Sequence, residues 1–182
     1  MQRYFRQLSG LLIALLVLAV SPAGTAGQNL DAREYQVKAA FVYNFALYVE
    51  WPTSDTGGQK PHTVCVLGTT TVGRLLEGLS GKTVKNRRLV VRQITEIEDA
   101  GDCDILFIGT AERINLPSIL EAVRTRNVLT ISDMERFTHA GGMIGFVTRD
   151  NKVVFEINLK QAQRSRLRIS SQLLKLARDV IE

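Results

Sequence analysis

Thr63-Val-Cys-Val-Leu-Gly68 and Cys103-Asp-Ile-Leu-Phe-Ile-Gly109 decide the fold of this chain. Both are short apolar runs ended by glycine, the pattern of strands buried on both faces of a sheet. Working outward, Thr71–Leu79 reads as a short helix and Leu89–Ile94 as a second strand. Thr95-Glu-Ile-Glu98 has the capping-box spacing that opens a helix. Pro117–Arg126 is a helix with proline in its first turn, and Val128–Ser132 is a fourth strand. Strands alternating with helices predict an α/β fold with a mostly parallel sheet and helices on both faces. Right-handed crossovers then place the Cys65 strand beside the Cys103 strand.

The flanks read differently. Upstream, Asp31 with Glu34 forms a second capping box. The helix that it opens sets Val37, Phe41, Phe45 and Tyr48 at helical spacing, and Trp51-Pro52 ends it. Thr53–His62, with Gly57, Gly58 and Pro61, reads as a surface loop. Downstream, Ser132-Asp-Met-Glu135 starts a short helix that Gly141-Gly142 breaks. Met143–Thr148 and Val153–Ile157 flank Arg149–Lys152 as an antiparallel hairpin. Asn158 with Gln161 caps the next helix, and a final helix aligns Ile169, Leu173, Leu176, Ala177 and Val180.

Residues 1–26 have the features of a secretory leader: Arg3 and Arg6, an apolar Leu8–Val20, then small residues up to Ala26. Cleavage there leaves residues 27–182 as one exported domain. A spanning helix needs about 20 apolar residues. Ala39–Val49 is shorter and carries Asn44, so the processed chain is not expected to be membrane-embedded. The formal net charge of +5, with both signs interspersed, does not point to nucleic acid. Arg87-Arg88 and Arg164–Arg168 are the densest basic spots. They read as solvated faces, or as a surface for an acidic partner or anionic headgroups. In an oxidising compartment Cys65 and Cys103 are expected to pair. The bond would contribute about 3.9 kcal/mol by closing its loop. The competing reading is two buried thiols.

Catalysis finds no footing in the motifs. Gly78-Leu-Ser-Gly81-Lys82-Thr83 lacks the first glycine of a phosphate loop, and His62 and His139 stand alone, without a nucleophile motif. No zinc or calcium spacing is present, and no cofactor or metal is expected. Gly68, Thr69, Thr70, Gly109, Thr110 and Ser132, with Asp133 next to it, fall at the carboxyl ends of the expected parallel strands. In open α/β sheets that edge is where ligands bind. Ordinary turn and capping chemistry accounts for the same residues.

Two further segments carry a resemblance. Lys38-Ala-Ala-Phe-Val-Tyr-Asn-Phe-Ala-Leu-Tyr-Val-Glu-Trp-Pro52 lies near one end; Phe155-Glu-Ile-Asn-Leu159 and Leu167-Arg-Ile-Ser-Ser-Gln-Leu-Leu-Lys-Leu-Ala177 lie near the other. With Cys103–Gly109 and Gly141-Gly142-Met-Ile144 between them, the chain resembles the YfiR/HmsC-like family of bacterial periplasmic proteins over residues 34–182. The resemblance implies a periplasmic regulator and not an enzyme. Its partner would be the periplasmic sensor domain of an inner-membrane diguanylate cyclase, which it inhibits, with an outer-membrane lipoprotein relieving the inhibition. A homodimer is compatible with it. Glu156, Asn158, Arg168 and Ser171 are the polar residues of the family segments that would touch a partner, with Arg168 near Glu156 as an alternative structural ion pair. Some relatives carry further cysteines near the later hairpin, and this chain has none there.

Overall fold

A computed structural model of the protein describes residues 25–52 and 60–182. The chain divides into two compact units, Met1–Asp31 and Ala32–Glu182, and the second holds the sheet. The expected leader lies outside the described residues apart from Thr25 and Ala26, and so does most of the expected Thr53–His62 loop.

Helix α1 (Thr25–Tyr48) starts upstream of Asp31, so Asp31 is an interior residue and not the cap. A cap shifts helix stability by about 1 kcal/mol, too little by itself to fix where a helix starts. The buried stripe of α1 also differs from the expected one. It runs through Lys38, Ala39, Val42, Phe45 and Ala46, while Val37 and Tyr48 are exposed and Phe41 is half-buried. Small side chains at Ala39 and Ala46 share this face with Phe45, which packs on Phe146 and Phe155 of the sheet together with Phe41.

After β1 (Val49–Glu50), the chain forms β2 (His62–Leu67), α2 (Thr71–Glu77), β3 (Thr83–Val84), β4 (Arg87–Ile94), β5 (Ile105–Ile108), α3 (Leu116–Val123) and β6 (Leu129–Ser132). There follow β7 (Ile144–Arg149), β8 (Lys152–Asn158), α4 (Leu159–Arg164), β9 (Arg168–Ile169), α5 (Ser171–Leu176) and β10 (Asp179–Ile181). Eight strands make one sheet in the order β10-β8-β7-β6-β5-β2-β4-β3, and β1 pairs with β9 in a separate ribbon. Alternation along β2 and β5 builds two cores. Val64, Val66, Ile105 and Phe107 join Val42 and Phe45 of α1 and Leu76 of α2. Leu67, Leu106 and Ile108 join Leu116, Ile119 and Val123 of α3 on the other face. A disulfide links Cys65 to Cys103 within this second core, across the expected β2–β5 neighbourhood.

The sheet is mixed, which corrects the mostly parallel expectation. The β3/β4 and β7/β8 ladders are antiparallel. Each pair is joined by two residues at positive φ, Lys85-Asn86 (47° and 65°) and Asp150-Asn151 (50° and 59°), the backbone of a tight hairpin turn. Three helix expectations also fail. Ile97–Asp102 is a 3-10 turn without a side-chain cap, where the Thr95–Glu98 box predicts an α-helix. Ser132–Glu135 opens only turns, because Arg136 takes φ 59°. The helix capped by Asn158 forms as α4, but the final helix expected from Ile169 to Val180 is replaced by β9, α5 and a closing strand, β10. Arg166 at φ 57° ends one helical run, Ser170 caps the next, and Leu176, expected in the core, is 67% exposed.

Candidate functional site

Beside Asp133, which follows β6, lies a cleft of about 770 Å³ walled by α1, the turns after β6, the β7–β8 hairpin and Arg178. At one side Lys38 is only 5% exposed, although it is charged. Its Nζ meets Glu34 Oε1 at 2.7 Å, one helical turn back, and Asp133 Oδ2 at 3.0 Å. The Thr148 hydroxyl donates to the same Glu34 oxygen at 2.9 Å, tying α1 to β7. Burial pushes the Glu34 carboxyl up, but hydrogen bonds from Lys38 and Thr148 outweigh it and hold the group below its ordinary value. For Lys38, burial works against the charge, and the two carboxylates more than reverse it, raising its pKa.

The other side is built on Glu156, which is 6% exposed on β8. One oxygen pairs with Arg178, and the other accepts from Thr138 Oγ1 at 2.9 Å. Here too burial raises the carboxyl and the hydrogen bonds from Arg178 and Thr138 override it, so the net direction is down. Asn158 completes the network: its amide donates to Thr138 O at 2.9 Å and its Oδ1 accepts from Gln161 N at 3.0 Å, capping α4. Both hydroxyl–carboxylate contacts therefore involve a carboxyl held low by a cation, which makes it a poor general base. The cleft offers donors, acceptors and the apolar Phe146 and Val147, a mix of groups that can hold a small polar molecule.

A second polar cluster anchors the start of β2. Asp104 Oδ2 accepts from Thr63 N (2.8 Å) and Arg87 Nη2 (3.1 Å) and lies 3.2 Å from His62 Nδ1. Trp51 donates to Asp104 O at 3.1 Å and packs edge-on against His62. Burial raises the Asp104 carboxyl, but its partners, His62 first, bring it below its ordinary value. Among the described residues no group of three or more His, Cys, Asp or Glu is placed to hold a metal ion.

The residues expected at a partner surface divide. Arg168 and Ser171 are exposed, whereas Glu156 and Asn158 are buried among their own hydrogen-bond partners. The Arg168–Glu156 ion pair is not formed: Glu156 takes Arg178, and Arg168 lies opposite Glu50 in the β1–β9 ribbon. The parallel register of β10 with β8 sets Asp179 against Glu156 and brings Arg178 to the carboxylate. At the strand ends, Gly68, Gly109 and Ser132 are neighbours but are bonded within the fold. Gly68 O accepts from Gln93 (2.8 Å), Gly109 N donates to Leu67 O (2.9 Å), and Ser132 Oγ donates to Ile108 O (2.7 Å). Thr70 caps α2 through Val72 N, and Thr69 and Thr110 are exposed. None of these six lines the cleft, but Asp133, expected beside Ser132, does. Sequence reasoning missed Lys38, Thr138 and Arg178. Only Lys38 left a signal, as a lysine four residues after Glu34 beside the apolar run of α1.

Two solved structures share the fold. A conserved domain protein from Vibrio cholerae O1 biovar El Tor superposes with TM-score 0.57 at 9% identity over 80% of this chain and 60% of its own. The ABC domain in complex with L-Trp from Streptococcus pneumonia gives 0.52 at 11% identity over 81% and 60%. This chain thus spans about 60% of the length of either. Residues 35–178, nearly the whole of the larger unit, match the family described as YfiR/HmsC-like, and the chain belongs to that family.

Proposed function

We propose that this protein is a periplasmic regulator that binds the periplasmic sensor domain of an inner-membrane diguanylate cyclase and holds it inactive. Family membership over residues 35–178 carries this reading. A domain outside the inner membrane acts on a cytosolic catalytic centre only by preferring one conformation of a receptor that spans the membrane. Moving such a switch from mostly on to mostly off takes about 5 kcal/mol of differential affinity. Action is by stoichiometric binding and not by turnover. Arg168 and Ser171, exposed at β9 and the start of α5, are the contact residues; Glu156 and Asn158 position that segment from inside. Deleting the gene in a strain that expresses the cyclase should raise cyclic di-GMP and biofilm. Arg168→Ala should raise them partway with the melting temperature unchanged. Unchanged cyclic di-GMP in the deletion strain would remove the reading.

The cleft favours a second reading, a periplasmic protein that binds a small polar molecule. The crevice expected at the strand ends would then be used only at its Ser132 side, where Asp133 enters the cleft wall. Calorimetric titration with free amino acids tests it: no heat with any of them, or equal heat from Lys38→Met protein, counts against it.

A further inference from the structure

Between Leu159 and Arg178 the chain holds six basic residues, Lys160, Arg164, Arg166, Arg168, Lys175 and Arg178, and no acidic one. Outside this stretch seventeen basic residues face eighteen acidic ones, so it alone makes the net charge positive. All six are exposed. Arg178 pairs with Glu156, and the other five form no ion pair among the described residues. The fold turns the arginines outward. Ser165 and Leu167 are buried between them: Ser165 Oγ donates to Arg124 O at 3.2 Å and Leu167 N to Ala162 O at 2.9 Å. Leu176, beside Lys175 on α5, is 67% exposed although Leu173 of the same helix is buried.

We propose that this segment docks the protein on an anionic phospholipid surface, Lys160, Arg164, Arg166 and Lys175 meeting phosphate headgroups and Leu176 entering the interface. Guanidinium groups bind phosphate oxygens in pairs, and cations near an anionic bilayer add their attractions within a Debye length. One exposed leucine supplies little area, so attachment is electrostatic and reversible. A lipid surface fits better than an acidic protein because the charge is diffuse. Apart from Arg178, none of the six lines the charged cleft, and an exposed apolar side chain, Leu176, stands among them. This goes beyond the regulatory reading: attachment confines the protein to the plane in which membrane receptors lie and raises its effective concentration there.

The test is sedimentation of the protein recovered from the periplasm with vesicles of phosphatidylglycerol and phosphatidylcholine, and with phosphatidylcholine alone. Binding should appear only on the anionic vesicles at low ionic strength and vanish in roughly 0.5 M salt. The combined variant Lys160→Gln, Arg164→Gln and Arg166→Asn leaves Arg168 in place, and asparagine tolerates the positive φ of residue 166. It should weaken binding by about a hundredfold with an unchanged melting curve, and Leu176→Ser by a few-fold. No binding to anionic vesicles, equal binding to both kinds, or full binding by the triple variant would overturn the proposal. If anionic vesicles are ignored while the triple variant loses cyclase inhibition, the segment faces an acidic protein and the lipid assignment is wrong.

Discussion

Glu156 shows how one side chain reconciles charge with burial. It keeps its charge because Arg178 and Thr138 satisfy both oxygens, and Asn158 in turn fixes the Thr138 carbonyl. Glu156→Gln keeps the shape but removes the charge that Arg178 needs, so it should lower unfolding free energy by about 2 kcal/mol at neutral pH in urea titration. The pH dependence follows from the depressed carboxyls. Glu156 and Glu34 lie below their ordinary 4.5 and Asp104 below 3.8. A carboxyl depressed by folding contributes in full above its unfolded value, and the contribution is lost as pH falls through the folded one. Stability should therefore begin to decline below pH 4.5 and more steeply below 3.8, and Glu156→Gln should flatten the first part. An acid limb of equal slope in wild type and variant would mean that Glu156 titrates alike folded and unfolded.

At the scale of elements, the disulfide joins the turn before β5 to the middle of β2, and the two strands already pair in parallel register. Its effect is mainly on the unfolded chain, where the separation of 38 residues gives about 3.9 kcal/mol in the chain-entropy model. Cys65→Ser should lower the melting temperature, leave one titratable thiol and preserve the proposed inhibition of a cyclase, since neither cysteine lies on the exposed segments or in the cleft. Two reactive thiols in native protein prepared without reductant would contradict the bond. Hairpins, not crossovers, make the sheet mixed. Asp150-Asn151 is a pair whose short side chains tolerate positive φ, and it was legible as a turn. Lys85-Asn86 carries the same geometry with only Asn86 to announce it.

Across the whole molecule, the chain closes on itself through its last residues. β10 extends the sheet beside β8, and Arg178 N donates to Phe155 O at 2.8 Å while its side chain neutralises Glu156. A chain ending at Ala177 loses the edge strand and leaves Glu156 buried without its cation, so it should unfold at least about 3 kcal/mol more easily in urea. Wild-type stability in the truncated chain would show that closure adds nothing.

The sequence by itself determined the α/β class, the neighbouring cysteine strands, the β7–β8 hairpin, the Asn158 cap and the family. The class, the hairpin and the cap rest on local signals, namely apolar runs between glycines, turn residues and a capping side chain close to its amides; the strand neighbourhood rests on crossover handedness and the family on a resemblance of separated segments. Only the tertiary structure decided which face of α1 is buried, that Leu176 stays in water, and that Glu156 pairs with Arg178 and not Arg168. Helical spacing alone cannot distinguish a continuous C-terminal helix from a short helix and a strand, because Val180 and Ile181 gain more by pairing with β8 than by extending a six-residue helix. The cleft was illegible for the same reason. Lys38 and Asp133 stand ninety-five residues apart, and the packing of α1 near the end of β6, not a motif, brings them together.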